Sequence, residues 1–171
     1  MFGASLSRWL TRAVPWVQPE RVFAGVALSQ CRVCARWPSQ PLCEDCIGSF
    51  AQPQTRCPRC AIAYASASTH ASALCADCSR EPPPLARCVC AVDYAFPWSR
   101  CIAEFKFRGD AGWAAALANL MRHAPWADDL IERSDCVLPI PLTDARLRER
   151  GFNQSLLLAR ALCAEIGRAH V

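Results

Sequence analysis

The chain has 171 residues, with 19 basic and 15 acidic side chains and a formal net charge of +4. A hydrophobic content of 53% with only 20% charged residues excludes a long disordered chain, and no apolar run approaches the length of a membrane span. Thirteen cysteines place it among scaffolds built on disulfides or metal.

Residues 1–27 read as an irregular or short helical lead-in. Leu6, Trp9 and Leu10 share a helical face, and Pro15 limits that helix. Arg8, Arg12, Glu20 and Arg21 interrupt any apolar core, so the segment does not read as a secretory signal. The expected compartment is the cytoplasm, where clustered cysteines more often bind metal than form disulfides.

Residues 28–80 are Cys-rich and lack regular periodicity. They contain four C-x-x-C pairs: Cys31/Cys34, Cys43/Cys46, Cys57/Cys60 and Cys75/Cys78. Each pair places two thiolates on one side of a tight turn, and two such turns complete a tetrahedral S₄ site. The spacing predicts a double zinc ribbon with two structural zinc ions. Two arrangements are open: sequential pairing, or first pair with third and second with fourth. An iron–sulfur cluster, C-x-x-C redox chemistry and disulfides are the rival uses of the same cysteines. A Cys₄ site has no open coordination position, so the metal is expected to hold structure rather than perform catalysis. His70 lies between the last two pairs, where four thiolates already suffice.

Glu81-Pro82-Pro83-Pro84 is a stiff connector and the expected domain boundary. Beyond it the pattern changes. Arg87–Phe96 alternates, with Cys88, Cys90, Val92 and Tyr94 on one side, and predicts a strand. Ser99 can cap a helix through Phe107, which Gly109 breaks. Asp110 can cap a second helix to about His123, a candidate cation at its C-terminal end. Trp126–Arg133 predicts one or two more turns. Asp135–Pro141 is short, apolar and bounded by prolines, as a buried strand would be. Thr143–Gly151 predicts a charged loop, and Asn153 can cap a final helix. Strand, helices, strand, loop and helix open an α/β unit over residues 86–165. Cys88, Cys90, Cys101, Cys136 and Cys163 fall on apolar faces and are expected to be buried free thiols.

The predicted loop carries Arg146, Arg148 and Arg150, then Gly151, then a helix N-terminus. Guanidinium forks beside helix N–H groups suit phosphate or pyrophosphate, and a glycine lets the backbone approach a ligand. Eighteen of the 19 basic residues are arginine, which makes the single lysine, Lys106, stand out.

The stretch from Pro139 to Gln154, P-I-P-L followed by R-x-R-x-R-G-F-N-Q, resembles the signature of the ComF/GntX family. Phe105-Lys106-Phe107-Arg108-Gly109 is similar to that family's K-[FY]-R-G element, and the four C-x-x-C pairs resemble its N-terminal double zinc ribbon. The resemblance covers roughly residues 28–165. It implies a zinc-binding segment followed by a type I phosphoribosyltransferase-like α/β domain, in proteins associated with competence, DNA uptake and DNA utilisation. It implies that Arg146, Arg148, Arg150 and Gly151 contact pyrophosphate or nucleic acid, with Lys106 and Arg108 closing over the phosphates. Phosphoribosyl pyrophosphate (PRPP) and Mg²⁺ are implied for the full-length family member. Single-stranded DNA and a competence helicase or translocase are the implied partners.

The family's acidic pair and Thr/Gly-rich PRPP turn are not in these 171 residues. The α/β domain is therefore expected to be incomplete and to show no turnover by itself. The alternative reading is a zinc-dependent single-stranded DNA-binding or partner-docking module without transferase activity. Residues 166–171 read as a non-native tail that truncates the frame.

Overall fold

The computed structural model describes residues 29–64 and 74–166. The lead-in over 1–27, His70 and the tail beyond Ile166 lie outside the described residues. The chain divides into two compact units, Met1–Gln52 and Pro53–Val171.

In the first unit an antiparallel bridge pairs Ser29 with Ser39 through reciprocal backbone bonds of 2.6 and 2.7 Å. The loop it closes carries Cys31 and Cys34. Helix α1, Glu44–Phe50, follows Cys43 and places Glu44 and Asp45 in its first turn, where acidic groups complement the helix dipole. Cys46 and Ile47 are buried on it, as are Leu42 and Ala51 before and after it.

The second unit opens with the same device. A bridge pairs Arg56 with Ala63 around Cys57 and Cys60, and helix α2, Ala76–Arg80, follows Cys75. Residues 85–97, beyond the three prolines, do not form the strand that their alternation predicts. A strand needs a neighbour to take its backbone hydrogen bonds, and no described segment supplies one. Second-ribbon residues hold this segment instead. The Cys88 N–H donates to the Pro58 carbonyl at 2.8 Å, and Arg59 donates to the carbonyl of Leu85. Asp93 receives Arg56 at 2.8 Å and Gln54 at 2.7 Å.

Helix α3 spans Trp98–Phe107 and starts from Pro97 rather than from a Ser99 cap. The Ser99 N–H donates to the Ala95 carbonyl instead. Gly109, at φ +68°, turns the chain out of the helix. The Asp110 carboxylate accepts the Gly112 N–H at 3.2 Å, so α4 begins later than expected, at Trp113, and runs to Arg122. Its alanines and leucines favour helix, and Trp113, Ala116, Leu117 and Leu120 recur at helical spacing as its buried face. His123 sits at its C-cap, with Nδ1 2.9 Å from the Asn119 carbonyl oxygen. Helix α5, Ala127–Glu132, follows a left-handed Trp126.

Residues 136–143 form no strand either, again without a partner. The predicted charged loop is a helix, α6, Asp144–Arg150. Thr143 accepts the Arg146 N–H at its start, and Gly151 closes it at φ +78°. Helix α7, Gln154–Ile166, packs mainly against α4 and buries Ala159, Leu162 and Cys163. The described residues thus form seven helices and two isolated bridges. No described helix is long and apolar enough to cross a membrane. Of the cysteines outside the pairs, Cys101 and Cys163 are buried and Cys88 and Cys90 half-buried. Cys136 is exposed, because the segment carrying it has no sheet to enter.

Candidate functional site

The two ribbons share a set of backbone bonds around their first C-x-x-C pair. The Cys31 N–H donates to the Arg36 carbonyl and the Cys57 N–H to the Ile62 carbonyl, at 2.9 and 3.0 Å. After the first C-x-x-C pair of each ribbon comes an alanine, whose N–H returns to the first cysteine's carbonyl at 2.8 Å. Those alanines, Ala35 and Ala61, sit at φ +60° and +61°, left-handed positions that strain a residue with a Cβ. Cys43 and Cys75 then point their N–H groups at the Cys31 and Cys57 sulfurs, each at 3.4 Å. The string C-x-x-C-A, at residues 31–35 and 57–61, is the local signal that marks this repeat.

The thiols gather in chain order, Cys31, Cys34, Cys43 and Cys46 in one cluster and Cys57, Cys60, Cys75 and Cys78 in the other. Within each cluster all four sulfurs lie within 4.8 Å of one another. Individual Sγ···Sγ separations are 3.9 Å for Cys31–Cys46, 3.6 Å for Cys34–Cys43 and 3.7 Å for Cys60–Cys75. A tetrahedron with Zn–S bonds of about 2.3 Å has edges of about 3.8 Å. A disulfide needs about 2.05 Å, and all thirteen cysteines are free. The geometry therefore fits one tetrahedral ion per cluster, and zinc is compatible with both.

Electrostatics within each cluster is set by the repeat. Burial pushes the Cys31 thiol up, but the N–H groups of Cys34, Cys43 and Val33 outweigh it and bring the thiol down to about 6. Cys57 also reaches about 6, its burial outweighed by the N–H groups of Cys75, Cys60 and Arg59. Burial and the neighbouring thiols push Cys46 and Cys78 the other way. A divalent ion binds thiolates, so the backbone N–H groups that lower Cys31 and Cys57 also favour the metal-bound form of those two sulfurs. No third group of three or more His, Cys, Asp or Glu side chains gathers among the described residues.

The remaining candidate residues divide. Arg150 places its guanidinium 5.0 Å from the centre of the Phe107 ring and donates from Nη1 to Gln154 Oε1 at 3.1 Å. Phe105 and Phe152 pack with ring centroids 5.7 Å apart. These contacts join the Phe105–Gly109 element to the Arg150–Gln154 stretch in one corner of the second unit. Lys106 and Arg108 are exposed on either side of Phe107, with Arg108 4.0 Å from Glu104. Arg146 lies one turn before Arg150 on the same side of α6. Arg148 and its neighbours on α6 are also exposed, but Arg148 faces away from that side. Gly151 ends the helix rather than lying in a loop.

Gln154 was not singled out as a contact from the sequence, where only its place in the motif marked it. It is 4% exposed. Its Nε2 and the Arg150 Nε are buried donors without an acceptor among the described residues. Such a donor costs about 1–3 kcal/mol, so this corner is short of acceptor oxygens. Asn153 acts as a cap. Its Oδ1 accepts the Leu156 N–H at 3.2 Å, and its Nδ2 holds the Ile140 carbonyl at 3.1 Å.

Comparison with known proteins gives homologues that share a name, DNA utilization protein YhgH. The Shigella flexneri protein is 34% identical over 125 residues, which are 71% of this chain and 53% of that protein. The protein from Escherichia coli strain K12 gives the same identity and coverage. The Salmonella typhimurium protein is 33% identical over 129 residues, 74% of this chain and 55% of that protein. The chain spans about half the length of the curated relatives it matches. No family model matches it, and no solved structure matches it significantly.

Proposed function

We propose that the chain is the zinc-stabilised N-terminal part of a ComF-type, phosphoribosyltransferase-like protein that works on DNA. In this reading the corner formed by Lys106, Arg108, Arg146, Arg150 and Gly151 binds phosphate groups. The observation that carries it is the meeting of two separate motif elements through the Phe107–Arg150 and Phe105–Phe152 contacts. The homologues' name supports the link to DNA, and the two Cys₄ clusters support a structural role for zinc. The α/β domain, PRPP and Mg²⁺ enter through the family resemblance. The type I fold would use the corner to hold a diphosphate during phosphoribosyl transfer.

Binding tests this directly. A fluorescent oligo(dT) should bind with an affinity that falls as salt rises, and inorganic pyrophosphate should compete with it. The Lys106→Ala/Arg150→Ala double variant should lose about tenfold or more, since each removed phosphate contact weakens a charge-driven complex. Affinity indifferent to salt, or unchanged in the double variant, would remove the proposal.

A further inference from the structure

Phe107 is 63% exposed although it carries the Arg150 guanidinium on its ring. The ring therefore has surface left for a second planar group. Lys106 and Arg108, its chain neighbours, are both exposed. An open aromatic surface, a guanidinium 5.0 Å over it and two flanking cations form the combination that holds a base by its π-face and its phosphates by charge. Free pyrophosphate has no use for the ring. Duplex DNA keeps its bases stacked on one another and offers none to it.

The ribbons are poorer candidates for the charged contact. Residues 29–81 carry five arginines and four acidic side chains. Each zinc tetrathiolate would add a formal double negative charge, leaving that region acidic. The acceptor-poor Arg150–Gln154 pair lies in the same corner as the ring and favours a ligand rich in oxygen.

We infer that Phe107, with the Arg150 guanidinium over its ring, is a platform that stacks a base of single-stranded DNA while Lys106 and Arg108 hold the adjoining phosphates. This rests on the phosphate-site reading above and names its ligand.

The full chain, loaded with zinc, is titrated with oligo(dT), with an abasic oligomer of equal length, with duplex DNA and with inorganic pyrophosphate. Oligo(dT) should bind about ten- to a hundredfold more tightly than the abasic oligomer. Phe107→Ala should abolish that difference and weaken pyrophosphate binding less than it weakens oligo(dT) binding, since Arg150 loses the ring beneath it but keeps its charge. Phe107→Trp should keep it, and Phe107→Leu, apolar but without a π-face, should not. Trp37→Ala removes a comparably exposed aromatic, 66% exposed, from the first unit and should change nothing. Equal affinity for oligo(dT) and the abasic oligomer overturns the inference, as does a Phe107→Ala variant that still distinguishes them. Pyrophosphate bound without base preference would leave the phosphate site standing. A wild-type chain that binds neither would take both readings down.

Discussion

Glu104 shows how a single side chain ties the second unit together. It accepts the Trp113 indole N–H at 3.2 Å, Arg100 at 3.0 Å, and lies 4.0 Å from Arg108. Trp113 is fully buried, so its N–H makes this bond away from water. The Arg100 bond holds the Glu104 carboxyl below the usual carboxylate range. Burial opposes the shift, and Trp113 and then Arg108 add to it. A depressed carboxyl stabilises the fold above its unfolded-state pKa, and that contribution fades as pH falls through the folded value. Both arginines are mostly exposed, so their share is a few tenths of a kcal/mol. Glu104→Gln, which keeps an acceptor for Trp113, should cost under about 1 kcal/mol at neutral pH, and less in acid. Glu104→Leu strands the indole N–H and should cost about 2 kcal/mol. Denaturant unfolding at pH 7 and pH 4 measures both. Equal costs for the two variants would show that the indole bond contributes nothing.

Among the elements, α6 is the least anchored. It has seven residues and buries none of them. Its existence depends on the Thr143 cap and on the left-handed Gly151, so Thr143→Ala and Gly151→Ala should each remove about 1 kcal/mol from it. No atom lies within 4 Å of a Cβ built at Gly151, so the cost there is conformational alone. With no buried face to transmit the loss, the expected outcome is local. Amide exchange should rise over residues 144–150 with little change in the global melting temperature. A matching fall in global stability would mean that α6 is part of the cooperative core.

That helix also shows where the sequence was hard to read. Charge over Thr143–Gly151 suggested a loop, while Thr before and Gly after were the cap signals of a short helix. The apolar stripes of α3, α4 and α7 were legible because helical periodicity is local. The two expected strands were not formed because pairing depends on residues elsewhere in space, which alternation cannot supply. The zinc ligands were legible as residues, since a C-x-x-C turn encodes its own geometry. Their sequential grouping was left open by spacing and came only from the structure. The meeting of Phe107 with Arg150 is a tertiary contact that no local pattern announces.

For the molecule as a whole, the two clusters stand in different units. The first belongs to Met1–Gln52 and the second to Pro53–Val171. The second also holds the segment that follows it. Pro58 and Arg59, within its knuckle, and Arg56, beside it, hold Cys88, Leu85 and Asp93. Loss of one ion should therefore be felt in one unit. Cys43→Ser should leave about one zinc per chain and raise amide exchange over residues 29–52 only, since removing one thiolate opens the S₄ set. Cys75→Ser should also leave about one zinc, but its exchange increase should spread through residues 54–64 into 85–93. Atomic emission counts the metal, and exchange mass spectrometry maps the loosening. In a crossed arrangement either variant would disturb both knuckle regions. Loss of both ions from one substitution, or loosening of residues 54–64 by Cys43→Ser, would refute two independent clamps.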